Sequence, residues 1–96
     1  MTKKELLQTD KYCLAIFSTT HSALHAEKVL EEKAFTFIIV PTPREISEGC
    51  GLAIRFYCQD MQAIADELQA EGIIVNDFYE ITKGHRKTIV GPIRTT

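Results

Sequence analysis

Of the three cysteines in this 96-residue chain, Cys50 stands in the setting that most favours chemistry. It lies between Gly49 and Gly51 at the end of the loop Pro41-Thr42-Pro43-Arg44-Glu45-Ile46-Ser47-Glu48-Gly49-Cys50-Gly51. Glycine reaches backbone conformations closed to other residues, and Pro41 and Pro43 stiffen the loop entrance, so the pattern presents a thiol rather than burying it. A free thiol has a pKa of about 8.5 and attacks only as the thiolate, so a reactive Cys50 needs positive potential nearby. Three sources are expected: the free N–H groups where a helix begins at Thr19, Thr20 and His21, the guanidinium of Arg44 in the same loop, and that of Arg55 on the following strand. His21 can accept the thiol proton or stand as a cation beside the thiolate, as in cysteine–histidine nucleophile pairs. The competing reading of Cys50 is a small residue filling a tight turn.

Cys13 and Cys58 read differently. Both fall in strand patterns, and the three cysteines form an odd set with no paired short spacing, so neither a disulfide framework nor a zinc knuckle is expected. They read as inert sheet residues. His25, four residues after His21, shares a helix face with it, but two histidines without a third ligand do not make a metal site. His25 and His85 read as surface residues, and no metal or cofactor is expected.

The elements that must position these groups follow from periodicity. Tyr12 to Phe17 is an apolar strand ending at the polar cluster Ser18-Thr19-Thr20, which caps a helix over His21 to Ala34 with Ala23, Ala26, Val29 and Leu30 as its apolar stripe. Phe35 to Val40 is a second strand, stopped by Pro41 and Pro43. Leu52 to Cys58 alternates, with Leu52, Ile54, Phe56 and Cys58 on one face and Ala53, Arg55 and Tyr57 on the other, giving a third strand. Asp60 caps a second helix with Met61, Ile64, Ala65 and Leu68 inward and Gly72 at its end. Ile73 to Ile81 completes a fourth strand. Beyond Lys83 the chain is either a short added strand or an arm that docks on a neighbour.

This order predicts an α+β class domain, a ferredoxin-like βαββαβ sandwich in which a four-stranded antiparallel sheet carries two helices on one face. The first and second strands then run the same way, which brings Cys50 opposite Thr19, Thr20 and His21. The length fits one domain, residues 1–96, with its core over 12–81 and a basic tail over 82–96.

Composition narrows the classes. Hydrophobic residues make up 45% and charged residues 25%, ordinary globular values, and no apolar run approaches the roughly 20 residues of a spanning helix. Residues 1–8 show no apolar core region, so no secretory signal is expected and the cytoplasm is the expected compartment. A net charge of −2 gives no general footprint for nucleic acid, and the local cluster Lys83, His85, Arg86, Lys87 and Arg94 reads as a solvated tail. Ile89, Val90 and Ile93 can bury against another subunit, making a homodimer, or fold back on their own sheet.

The blocks Phe17-Ser18-Thr19-Thr20-His21-Ser22-Ala23-Leu24-His25-Ala26-Glu27-Lys28 and Val40-Pro41-Thr42-Pro43-Arg44-Glu45-Ile46-Ser47-Glu48-Gly49-Cys50-Gly51-Leu52-Ala53-Ile54-Arg55-Phe56 resemble the putative selenium/sulfur (Se/S) carrier protein-like family of small bacterial domains. The resemblance covers roughly residues 12–79. It implies a carrier whose loop cysteine, here Cys50, holds a persulfide or perselenide between a donor of the cysteine desulfurase or selenocysteine lyase type and an acceptor enzyme. A reading from another class is a ligand-sensing or protein-interaction module, which alkylation of Cys50 leaves intact. A third, a thiol redox sensor, requires a resolving cysteine close to Cys50.

Overall fold

The computed structural model describes residues 2–44, 46, 48–84 and 87–93, with backbone alone over 83, 84 and 87–93. A short helix α1 (Lys3–Gln8) leads into strand β1 (Lys11–Ile16), helix α2 (Thr20–Glu32), strands β2 (Phe37–Pro41) and β3 (Leu52–Phe56), a single 3-10 turn (Cys58–Asp60), helix α3 (Met61–Ala70), and strands β4 (Asp77–Gly84) and β5 (Lys87–Ile93). The sheet order is β2-β3-β1-β4-β5, and every neighbouring pair is antiparallel. The succession from β1 to β4 is the expected βαββαβ, with β1 at the centre. The α+β class is as the pattern indicates.

Side-chain alternation sorts the sheet into two packed faces. Cys13, Ala15, Ile54, Phe56 and Phe78 face Ala23, Ala26, Val29 and Leu30 of α2 and Ile64 and Leu68 of α3, all buried. On the other face Tyr12, Leu14, Ile16, Ala53 and Ile81 pack with Leu6 of α1 and with Ile46 from the β2–β3 loop. Each buried aliphatic or aromatic side chain contributes about 1.5–3 kcal/mol of transfer free energy.

Both helix ends use backbone geometry to turn the chain. After α3, Gly72 at φ +74 lets the Gly72 N–H donate to Gln69 O at 3.0 Å and the Ile73 N–H to Leu68 O at 2.9 Å, a Schellman closure. The same closure ends α2, where Ala34 occupies the left-handed position at φ +61, and the Ala34 and Phe35 N–H groups donate to Glu31 O and Leu30 O.

Three expectations are corrected, and one left open is decided. Of the two readings of the chain beyond Lys83, the added strand is the one formed: residues 87–93 pair with β4 from Gly84↔Lys87 to Phe78↔Ile93. The second sheet face is covered by α1, six residues of helix preceding the first strand that carry too little periodicity to be read from the sequence. The fourth strand begins at Asp77 rather than Ile73, since the Schellman turn and the residues up to Asn76 are needed to bring the chain back to β1. Asp60 precedes α3 but makes no side-chain cap hydrogen bond. Cys58 lies outside β3, in the 3-10 turn, and is disulfide-bonded to Cys13.

That bond is legible from the register. Cys13 pairs with Phe56, so Cys58, two positions on, falls on the same face. The chain tightens there into the 3-10 turn, and the two Cα atoms come within 5.1 Å, inside the range a disulfide spans. Strand pairing brings together what sequence spacing of 45 residues conceals. The side chains of the basic cluster at 83–87 and 94 and of Ile89, Val90 and Ile93 lie outside the described residues.

Candidate functional site: a cysteine between two left-handed glycines

Cys50 is the free cysteine of the chain and is half-buried. Its position is fixed from the backbone. The Thr42 N–H donates to Gly51 O at 2.9 Å, closing the loop at its base, and the Ile46 N–H donates to Pro43 O at 3.0 Å, forming a turn within it. Ile46 then inserts into the α1-side core and anchors the loop. The Cys50 N–H donates to Phe17 O at 2.9 Å, tying the cysteine to the residue that links β1 to α2.

Gly49 and Gly51 both take left-handed backbone conformations, at φ +93 and +92. They act for different reasons. A Cβ on Gly49 meets Ile16 Cγ2 at 2.6 Å and Phe17 O at 3.0 Å, whereas one on Gly51 meets nothing within 4 Å. Gly49 thus supplies both a backbone conformation and room for the end of β1, while Gly51 supplies conformation alone. Between them Cys50 packs beside Leu52 on the edge of the α2/α3-side core, and its Sγ lies 3.9 Å from Leu52 O.

The start of α2 lies at this same end of the sheet, as the topology requires. Thr19 is its N-cap: the Ser22 N–H donates to Thr19 Oγ1 at 3.0 Å, and Thr19 Oγ1 donates to Ser22 Oγ at 3.0 Å. The Thr19 side chain is therefore engaged in capping, and Thr20 begins the helix. Ser18 donates to Asn76 Oδ1, and the Asn76 N–H donates to Ile16 O at 2.7 Å. The approach to β4 is thus pinned beside the β1–α2 turn. His21 is exposed in the first turn of α2, its ring 6.4 Å from that of His25. Arg44 is exposed in the loop turn.

Arg55 is corrected. It is buried to 9% exposure on the face opposite Cys50, because alternation along β3 sends residues 53 and 55 toward α1. There its Nε and Nη2 donate to Leu6 O at 3.1 and 2.6 Å, and its guanidinium lies 3.6 Å from the centre of the Tyr12 ring. It closes the carboxyl end of α1, where the last carbonyls lack helical partners. Burial lowers its pKa from the ordinary value, opposed by Tyr12. Arg55 is thus engaged as a structural cation on the face opposite Cys50.

The loop also carries groups the sequence did not single out. The phenol of Tyr79 on β4 is raised above the ordinary value, first by burial and then by the nearby carboxylates of Glu48 and Asp77. Among the described residues, Thr42 Oγ1 and Glu48 Oε1 are buried oxygens without a hydrogen-bond partner. Ile46 carried a readable signal, being an isolated aliphatic residue in a polar loop, whereas Tyr79 and Asn76 reach the site only through tertiary packing.

A resolving cysteine for Cys50 does not lie at this end of the sheet. Cys13 is bonded to Cys58 and precedes Phe17 by four residues, about 13 Å of strand.

These features define an α+β domain with an antiparallel sheet and a cysteine framed by glycines where its first parallel-running strands end. Residues 12–80 match the family described as "Putative Se/S carrier protein-like", and the chain belongs to that family. It is also similar to an uncharacterized protein of Methanocaldococcus jannaschii, 40% identical over 60 residues, a stretch covering 62% of this chain and 30% of that protein. The chain thus spans under a third of that relative's length. That relative is archaeal, so the likeness is not confined to bacteria. No solved structure matches the chain.

Proposed function

We propose that the chain carries sulfur or selenium as a persulfide or perselenide on Cys50. The observation that supports this most is the conformation of Gly49-Cys50-Gly51: two left-handed glycines hold a free, half-buried thiol at the loop end where α2 begins. The family supports the cargo class. The Cys50 thiolate attacks the outer chalcogen of a donor persulfide. A bond from Cys50 Sγ to that atom forms as the donor's bond to it breaks, and the donor cysteine leaves as its thiolate. The transfer to an acceptor nucleophile repeats the exchange in the opposite sense, with no net oxidation and no cofactor. Exchange of this kind is fastest when the attacking thiol titrates near ambient pH.

His21 and Arg44, both exposed at the same end, are assigned to receiving or stabilising charge during transfer, and Thr20, Pro41 and Pro43 to shaping the rim. The partners of this reading are a cysteine desulfurase or selenocysteine lyase-type donor and an acceptor enzyme, and its setting is the reducing cytoplasm. No helix among the described residues is long and apolar enough to cross a membrane.

The test is intact mass after incubation with a desulfurase and cysteine, or a lyase and selenocysteine. Wild type is expected to gain one chalcogen atom, removable by a thiol reductant, and Cys50→Ala to gain none. Equal loading of the two proteins rejects the proposal.

A further inference from the structure

The sheet end remote from Cys50 holds a second group of ligating side chains, independent of the carriage reading. Cys13 of β1 pairs in register with Glu80 of β4 on one side and with Phe56 of β3 on the other. Residues 13 and 80 point to the same face, and the 3-10 turn brings Cys58 onto it. One donor atom from each of Cys13, Cys58 and Glu80 lies within 4.8 Å of the other two. Cys13 is wholly buried, while Cys58 and Glu80 are half-exposed, so the cluster has a dry floor and an open side.

We propose that Cys13, Cys58 and Glu80 form a redox-gated site for a thiophilic divalent cation of the zinc type. A tetrahedral zinc about 2.3 Å from each sulfur and 2.0–2.2 Å from a carboxylate oxygen sets its donors roughly 3.5–3.8 Å apart, within the spread of this cluster. Two thiolates and one carboxylate suit zinc or cadmium over magnesium or calcium, which take oxygen ligands. Water completes the fourth position from the open side. The ion pair of Glu80 with Lys11, 3.4 Å between largely exposed groups, contributes too little to hold the carboxylate away from a metal.

The disulfide closes the site, since both sulfurs are then spent on each other. Opening it takes a dithiol reductant: two electrons and two protons convert the Cys13–Cys58 bond to two thiols, and the reductant leaves as its own disulfide. Metal binding then displaces those two protons as two metal–thiolate bonds form. The same pair therefore joins β1 to the start of α3 in either state, through sulfur–sulfur when oxidised and through the metal when reduced.

The experiment titrates Cd2+ and Zn2+ into the oxidised and the reduced chain. The reduced chain is expected to bind one ion, with an ultraviolet thiolate-to-cadmium charge-transfer band, and the oxidised chain none. Zinc is expected to shield Cys13 and Cys58, but not Cys50, from alkylation mapped by peptide mass. Cys50→Ser should bind as wild type does, Cys58→Ser at least about 100-fold more weakly, and Glu80→Gln about 10-fold or more weakly, in line with the effects typical of groups around a metal. Absence of the band in the reduced chain, equal binding by the oxidised chain, or protection mapping to Cys50 overturns the site. Glu80→Gln binding as tightly as wild type removes Glu80 from it. The comparison of oxidised with reduced wild type needs no variant, so it decides the matter even where Cys58→Ser folds poorly.

Discussion

Replacing Gly49 and Gly51 separately by alanine distinguishes a turn that merely tolerates glycine from one built on it. Both residues sit near φ +92, where an L-residue with a Cβ costs about 1–2 kcal/mol. Alanine recovers about 0.4–1 kcal/mol by restricting the unfolded chain, so Gly51→Ala, whose Cβ meets open space, should lose no more than about 1.6 kcal/mol. Gly49→Ala adds a collision. Its Cβ lies 2.6 Å from Ile16 Cγ2 and 3.0 Å from Phe17 O. Ile16 is fully buried and stiff about χ1, and Phe17 O already accepts from the Cys50 N–H, so neither neighbour yields freely. Overpacking of this kind costs about 1–3 kcal/mol, so Gly49→Ala should lose about 1–3 kcal/mol more than Gly51→Ala. Urea unfolding measures both, with unchanged m-values confirming a common mechanism. The Cys50 alkylation rate should also change more in Gly49→Ala, because relief of the clash displaces the Phe17–Cys50 hydrogen bond. Equal midpoints for the two variants would refute the argument from close approach.

Ala34→Gly should stabilise by about 0.5–1 kcal/mol in the same assay, since relief of the left-handed alanine outweighs glycine's added entropy; a loss of stability would show that the α2 closure tolerates the side chain. Reducing the Cys13–Cys58 bond should lower stability by up to about 4 kcal/mol, the loop-closure value for about 45 residues, read as a shift in urea midpoint with and without a dithiol in metal-free buffer. Arg55→Met keeps the bulk but removes both donors to Leu6 O. It should cost about 1.5–3 kcal/mol and speed amide exchange in α1 more than elsewhere, and uniform exchange would argue against a cap. Tyr79 is raised in the folded state, so its contribution is complete below the unfolded phenol value of about 10 and lost as pH rises through the higher folded value. The urea midpoint should fall on that alkaline limb, and fall less steeply in Tyr79→Phe.

How far the sequence reveals this fold depends on which interaction placed each element. β1, α2, β3 and α3 carry their own periodicity, and the split βαββαβ order follows from them. The Gly-Cys-Gly turn was equally readable, because positive φ is a local demand that glycine answers locally. Arg55 was not. Alternation along β3 puts it opposite Cys50, but its partner, the carbonyl of Leu6, lies 49 residues away on a helix too short for a periodic signature. The Cys13–Cys58 bond was hidden for the same reason: two cysteines judged one at a time look inert, and only the register joins them. Residues fixed by local backbone chemistry were legible, and those fixed by pairing between distant strands were not.

The separation of the two sulfur centres bears on the proposed carriage. A persulfide is attacked readily by any thiolate within reach, and a chain with three cysteines risks discharging its cargo onto itself. The sheet limits this, with Cys50 tied to the exit of β1 and Cys13 buried about 13 Å back along the same strand. In the oxidised state Cys13 and Cys58 hold no thiolate, and in the reduced state the metal proposed above, when bound, engages both. Loading of Cys50 should therefore last longer when the other pair is bonded or metal-filled than when it is reduced and metal-free. The intact mass of loaded protein followed over time in the three states measures this, and identical decay would show that internal discharge does not limit the carrier.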